Sequence, residues 1–429
     1  MIVGEAFEVP AEQKKFLRLS VEELQKNYGL RTYHLREDGN GLVTAEGEEF
    51  VCDYPDRYTD FVAASDYLYG YEPSSRWLCR LDGAAKNGPF DGEPFFLFNY
   101  YNASGFLQQY CITSKDVTYM TLNTTTFVGQ DKGGTCAALF RERMFTARGM
   151  RLHYSKAFEI SDWYASRYRG GYIQLDTDGA GDILALIPYK DKLYLMRRNG
   201  ISVLRVLGDE LNFKITYLPV KCGALLDYGA ALCGDSIGYF TDSGFYLFNG
   251  AVSVSAENSR FDEIDLSRGV KARSYKGKYY ALVTKKTGDR AIYCYDPVWK
   301  QAHFIENGAE QFDCGNALCF VRAHKVYRIS EKGICQNFMP YLTAEHVGFT
   351  AGEERMLRRL CVEGEGTFSV SIRSNRGTRT VTGSAQEILK LRSPLRGYDF
   401  QITISAAGDA EEIRFKALQL QFTEEKNDD

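Results

Sequence analysis

Between residues 191 and 250 short apolar runs alternate with polar, glycine-containing turns. Lys192-Leu193-Tyr194-Leu195-Met196 is one run, and Ile201-Ser202-Val203-Leu204-Arg205-Val206 is the next. Asn199-Gly200 lies between them, and both residues tolerate the positive φ of a type I′ hairpin. Ile237-Gly238-Tyr239-Phe240, Ser243-Gly244 and Phe245-Tyr246-Leu247-Phe248 repeat the order of strand, turn and strand. No 3.6-residue period fits, so the segment predicts consecutive β-hairpins.

The same unit recurs from about residue 41 to 335. Anchor strands centred on Phe96, Met144, Leu193, Tyr239, Tyr280 and Val326 are spaced by 48, 49, 46, 41 and 46 residues. A fainter member centres on Phe50, 46 residues before Phe96. A period of about 40–50 residues is that of four-stranded propeller blades. Separate sandwich domains would need longer units. The pattern predicts an all-β chain with a six- or seven-bladed β-propeller over 41–335.

The flanks read differently. Ser20-Val21-Glu22-Glu23 has the spacing of a capping box, which predicts a short helix from Val21 to about Asn27 ended by Gly29. Residues 1–40 are expected to form a surface arm, either mobile or docked on a neighbouring subunit. Residues 336–354 read as a linker with one strand within 341–349. From 355 to 429, Phe368, Val370 and Ile372 alternate with Ser369 and Ser371, and Phe400, Ile402 and Ile404 alternate with Gln401 and Thr403. Alternation of this kind marks strands with one wet face and predicts a small C-terminal β-sandwich.

Composition sharpens the picture in three ways. The 29 Tyr and 27 Phe favour half-buried pleated surfaces. A net charge of −4 and pI of about 5.9 give no support for a protein that coats nucleic acid. The 11 Cys are odd in number and scattered, most within apolar runs, as buried small hydrophobes would be in a reducing compartment. Cys314 and Cys319 are the nearest pair, and without a CxxC they make no zinc ribbon. Neither a signal peptide nor a membrane span is expected.

Candidate chemistry is sparse. Asp176, Asp178 and Asp182 outline an acidic glycine loop, but Ala180 and Ile187 occupy positions where an EF-hand needs ligands. A looser calcium site there ranks below a plain Asp/Gly turn. His34, His153, His303, His324 and His346 show no metal-ligand spacing. No GxSxG, HExxH or P-loop occurs. Carboxylate pairs for glycoside hydrolysis can come from distant blades, with Asp242, Asp262 and Glu263 as candidates and turn formation as their simpler role. Trp77, Trp163 and Trp299 are candidate sugar platforms, with Trp299 more simply a blade-end core residue. Arg355, Arg358, Arg359, Arg373, Arg376 and Arg379 form basic clusters, either a solvated sheet face or a contact for an acidic partner or DNA phosphates. No catalytic, cofactor or metal residue is assigned.

Several phrases resemble a known family. Phe140-Arg141-Glu142-Arg143-Met144-Phe145, followed by Leu152-His153-Tyr154-Ser155 and Trp163, resembles tail-associated propeller proteins of tailed bacteriophages. The segments around Asp182–Gly200, Ile237–Gly250, Tyr293–Trp299 and Arg396–Ile402 are similar to their later blades and C-terminal sandwich. The nearest kind is the packaged-DNA stabilisation (head-completion, tail-hub) protein of short-tailed phages, over residues 90–422. The resemblance implies a virion structural protein of the neck or tail, assembled in the host cytoplasm as a homo-oligomeric ring. Its partners would be portal, adaptor or other tail proteins, with passive contact to packaged DNA, no cofactor and no enzymatic activity. The alternative is a carbohydrate-binding or carbohydrate-active propeller with a C-terminal sandwich module. Converging carboxylates and Trp faces at the ring's centre would favour that alternative.

Overall fold

The computed structural model describes residues 17–423 except 29, 34, 38–40, 102–103, 122, 167, 177–178, 207–211, 219–222, 258, 331–339, 348–353 and 408–412. The described chain is all-β apart from one α-helix, Val21–Asn27, and short 3-10 turns. It divides into two compact units, Glu48–Ala302 with Asn307–Ser330, and Met1–Gly47 with His303–Glu306 and Glu331–Asp429.

The larger unit is built from four-stranded antiparallel sheets in chain order. Sheet A holds Asp60–Ala64, Tyr67–Glu72, Trp77–Arg80 and Lys86–Asn87. Sheet B holds Pro94–Tyr101, Leu107–Thr113, Val117–Thr121 and Thr124–Gly129. Sheet C holds Cys136–Phe140, Arg143–Arg148, Arg151–Tyr154 and Gly171–Gln174. Sheet D holds Ile183–Tyr189, Lys192–Arg197, Gly200–Arg205 and Lys214–Leu218. Sheet E holds Leu225–Cys233, Ser236–Thr241, Gly244–Phe248 and Ser253–Ser255. Sheet F holds Lys271–Tyr275, Lys278–Thr284, Arg290–Asp296 and Gln301–Ile305. Sheet G holds Gln311–Cys314, Leu318–Arg322 and Lys325–Ser330, completed by Gly47–Asp53 from far earlier in the chain. The first strand of each sheet touches the first strand of the next, and that of G touches that of A, so the seven form a closed cycle.

Both faces of each sheet are apolar, which explains the runs without alternation. In sheet D, Leu193 and Leu195 join Phe145, Leu152 and Leu186 in the core shared with sheet C. Their neighbours Tyr194 and Met196 point the other way, into a core with Ile237, Tyr239 and Phe248 of sheet E. Successive side chains alternate faces, so a strand covered on both sides reads as a continuous apolar run. Sheets E and F meet through an aromatic layer in which Phe240 and Phe245 lie 4.9 Å apart and Phe245 lies 4.8 Å from Tyr279.

Four anchors, Met144, Leu193, Tyr239 and Tyr280, occupy second strands of successive sheets. Phe96 lies in a first strand and Val326 in a third. Phe50, expected to centre a faint first unit, instead lies in the strand that completes the last one, with its ring 6.1 Å from Tyr327. Arg322 holds that strand with paired bonds of 2.7 and 2.6 Å to the two carboxylate oxygens of Glu48. The Asn199-Gly200 hairpin forms one residue earlier than expected. Arg197 pairs with Gly200, so Arg198 and Asn199 make the turn. Gly200 is needed for space, because a Cβ there would sit 2.6 Å from the Tyr217 ring.

In the smaller unit, Leu35–Glu37, Leu42–Thr44, Arg414–Thr423, Arg355–Glu365 and Ile388–Gly397 follow one another across one sheet, and Leu17–Ser20 also pairs with Arg414–Thr423. The second sheet runs Arg31–Tyr33, Tyr341–Val347, Phe400–Ala406, Thr367–Ser374 and Gly377–Ser384. The two enclose one core that includes Phe368, Val370, Ile372, Phe400, Ile402 and Ile404, all fully buried. The capping box forms as expected, with Ser20 and Glu23 reciprocally bonded. The Tyr28 N–H closes the helix on the Leu24 carbonyl at 3.0 Å, and Gly29 lies outside the described residues.

Two expected boundaries are corrected. The described part of the expected arm supplies strands to both sheets, because Leu19, Leu24 and Leu35 need burial, and Leu42–Thr44, expected at the start of the propeller, joins the first of them. Tyr341–Val347, the one strand expected within the linker, lies inside the second sheet, with Leu342, Ala344 and Val347 in the core. The linker's other residues lie mostly outside the described ones.

Leu195→Ala is expected to destabilise the chain by about 2–5 kcal/mol, as cavity-forming core substitutions do. The exposed Val298→Ala should stay within about 0.5 kcal/mol. Urea midpoints at constant slope would check both, and equal midpoints would refute the two-faced core.

Candidate functional site

The closed cycle of first strands surrounds a cavity of about 610 Å³. Every sheet lines it. Ala137 of C, Leu184, Leu186 and Pro188 of D, and Ala230 and Leu232 of E make an apolar wall. Charge gathers on the neighbouring sheets F, G and A. Lys271 and Arg273 come from F, Asp313 from G and Asp60 from A, with Glu93 just before the first strand of B.

The charged sector follows from strand geometry. The innermost strand of a sheet has one edge with no further strand to bond, so its N–H groups need other partners. Side chains of sheet G supply them to sheet A. The Gln311 side-chain oxygen accepts from the Phe61 N–H at 2.6 Å, and Asp313 Oδ2 accepts from the Ala63 N–H at 3.0 Å. Asp313 Oδ1 accepts from Arg273 Nε at 2.5 Å, so one buried carboxylate stitches F, G and A together. Burial alone would raise the Asp313 pKa. Arg273, Lys271 and the Ala63 N–H outweigh it and hold the carboxyl below its ordinary range.

Lys271 lies two residues before Arg273 on the same strand, hence on the same face. Burial of its ammonium pulls its pKa down, Arg273 adds to the fall, and Asp313 and Asp60 oppose it. Tyr228 sits at φ 57° in the irregular part of the Leu225–Cys233 strand, where the register shifts, and its ring reaches the cavity. Burial followed by Asp227 raises its phenol. Burial pushes the Cys314 thiol, also in the lining, up to about 11.

The residues singled out from sequence lie elsewhere. Asp242 accepts from the Ala224 N–H at 3.0 Å, and Glu263 is held by Arg260 at 2.6 Å beside Asp262, itself exposed. Trp163 is buried in the core between B and C, Trp299 is half exposed, and Trp77 stacks under Lys86. None of the three tryptophans lines the cavity. Trp299 therefore departs from its expected role in the core. Asp178 lies outside the described residues, Asp176 is exposed, and Asp182 lines a small separate recess. His303 pairs with Glu46, His324 with Asp56 and His346 with Asp399. His34 lies outside the described residues. Arg376 pairs with Glu354, Arg379 bonds Ser393, and Arg355 stacks on Phe422. Nine cysteines are described, and all nine are free.

No family model matches the sequence, and no curated protein matches it. Similar solved structures include an exo-β-1,3-galactanase from Phanerochaete chrysosporium, 8% identical over 87% of this chain and 100% of that one, with a TM-score of 0.25. A family 43 arabinoxylan arabinofuranohydrolase from Bacillus subtilis is 11% identical over 86% and 96%, with a TM-score of 0.25. A fungal alcohol oxidase of the AA5 family, in complex with copper, is 11% identical over 92% of each chain, with a TM-score of 0.36. These are glycoside hydrolases and an oxidase, not phage neck or tail proteins, so the expectation of a neck or tail protein without enzymatic activity is corrected and not carried further. Likenesses this low lend no activity to this chain.

His153 is buried with its Nδ1 unpartnered, and burial with Lys132, Arg151 and Arg148 pulls its pKa to about 4 from an ordinary 6.5. Between those values the unfolded chain binds a proton that the folded chain refuses, so stability falls as pH drops from 6.5 to 4. His153→Gln should flatten that slope in urea midpoints taken at pH 7 and pH 5, and an unchanged slope would refute the assignment.

Proposed function

We propose that the chain is a seven-bladed β-propeller with a β-sandwich, and that it is a carbohydrate-binding or carbohydrate-active protein whose ligand sits in the propeller's central cavity. One observation carries the reading: a concave space faced on one side by aliphatic side chains and on the other by carboxylates, cations and a phenol. A sugar ring presents both an apolar C–H face and a rim of hydroxyls, and such a site meets both needs. The volume falls within the range of about 300–1,000 Å³ usual for small-ligand sites. Seven closed four-stranded sheets support the blade number, and two sheets on one core support the sandwich.

For the hydrolytic form of the reading, Asp60 and Glu93 are the carboxylates to consider. Among the described residues neither is held in an ion pair, whereas Asp313 is committed to Arg273 and Ala63. Glycoside hydrolysis calls for two carboxyl groups, one to protonate the leaving oxygen and one to act as nucleophile or base. Lys271 and Tyr228 would bond hydroxyl oxygens in either form.

The test is a glycan array with a panel of aryl glycosides, read on the wild type, Asp60→Asn, Glu93→Gln and Asp242→Asn. A saccharide should bind, and any turnover should fall by about 10²–10⁴ in Asp60→Asn or Glu93→Gln. Asp242→Asn, outside the cavity, should match the wild type. Failure of every saccharide to bind or react would overturn the reading.

A further inference from the structure

Lys271 is an unusual lysine for its place. It lines the cavity, and among the described residues its ammonium makes no hydrogen bond or ion pair. Its natural partner, Asp313, has both oxygens engaged, one by Arg273 at 2.5 Å and one by the Ala63 N–H at 3.0 Å. Arg273 shares its strand face and keeps a second positive charge nearby. A lysine that is desolvated and set beside another cation is the arrangement that frees an amine for nucleophilic attack at neutral pH. Its lowered pKa agrees with that placement. Structural lysines on this chain look different. Lys115 sits at the surface 3.1 Å from Asp91, which raises its pKa.

We infer that Lys271 is a nucleophilic amine that captures the open-chain aldehyde of a reducing sugar as an imine. The inference rests on the reading of the cavity as a carbohydrate site and names the ligand class within it. The neutral amine nitrogen bonds the carbonyl carbon. Its two protons pass to the carbonyl oxygen, the C–O bond breaks, and water leaves as the C=N bond forms. No oxidant or reductant is consumed. Asp60, which lines the same cavity, would carry one of those protons.

Reductive trapping tests this on the full chain. Glycolaldehyde with sodium cyanoborohydride at pH 7 would convert any imine to a stable secondary amine, located by peptide mass spectrometry. Lys271 should be modified clearly faster than the surface lysines Lys115 and Lys300, because desolvation beside a second cation leaves more of its amine neutral. Lys271→Arg should lose that fast site while keeping the wild-type circular dichroism. Modification of Lys271 no faster than the surface lysines would overturn the inference, and the wild type alone decides this if the variant fails to fold. A panel of methyl glycosides, which have no aldehyde, separates the two readings. Protection of Lys271 by one of them supports both. Saccharide binding without fast labelling sinks the amine and leaves the carbohydrate site. Fast labelling that no saccharide slows keeps the reactive amine and sinks its assignment to sugars.

Discussion

A four-stranded sheet with two apolar faces cannot stand alone in water, and that constraint governs the larger unit. Leu193 and Leu195 bury against one neighbour of sheet D while Tyr194 and Met196 bury against the other. Each fully buried side chain of this kind contributes about 1.5–3 kcal/mol, so a sheet with one bare face would forfeit several such terms. The exposed face is removed when the last sheet meets the first, and the first strands do close that cycle. Closure then falls on Gly47–Asp53, whose place in sheet G joins early chain to late, with Glu48 and Arg322 fixing it. A backbone pairing between segments some 270 residues apart carries a large loop-closure cost, and the shared cores repay it.

The same closure makes the cavity. Seven innermost edges converge, each with backbone groups that no further strand can satisfy. Around most of the circle aliphatic side chains fill the space. Where G meets A, the polar side chains of Gln311 and Asp313 take up the Phe61 and Ala63 N–H groups. Burying Asp313 for that purpose demands a cation, and Arg273 provides it from sheet F. The charged sector is therefore in part a by-product of joining blades. Lys271 helps hold Asp313 ionised by its charge, but among the described residues it makes no hydrogen bond or ion pair at the joint.

The repeat was legible because it rests on local chemistry: apolar runs, turn residues and a period set by four short strands. The C-terminal alternation at Phe368–Ile372 and Phe400–Ile404 was legible for the same reason, and the two strands lie paired, Val370 opposite Ile404. What escaped the sequence was everything decided by distant pairing. Phe50 had the look of one more unit because a closing strand has the same composition as any other blade strand. Residues 31–37 looked like part of an arm, and 42–44 like the start of the repeat, because strands of three residues are too short to show a period. The cavity residues had a faint local mark: Lys271-Ala272-Arg273 and Gln311-Phe312-Asp313 both place polar groups two apart in a strand. That mark also describes any solvated strand face. Only closure of the ring turns those faces inward.

The division of labour inside the sector follows from which atoms are already spent. Asp313 offers no free oxygen to a ligand proton, and its cationic neighbours hold it ionised, so it serves poorly as a general acid. Arg273 spends its Nε on Asp313 and an Nη on the Ala272 carbonyl at 2.9 Å, which fixes the guanidinium as a scaffold. On the proposed reading, proton transfer would fall to Asp60 and Glu93, and nucleophilic attack to Lys271. A site organised this way separates the groups that hold the ring together from those open to a ligand. Removing Asp313 would damage the joint itself, whereas Asp60 and Glu93 take no part in it.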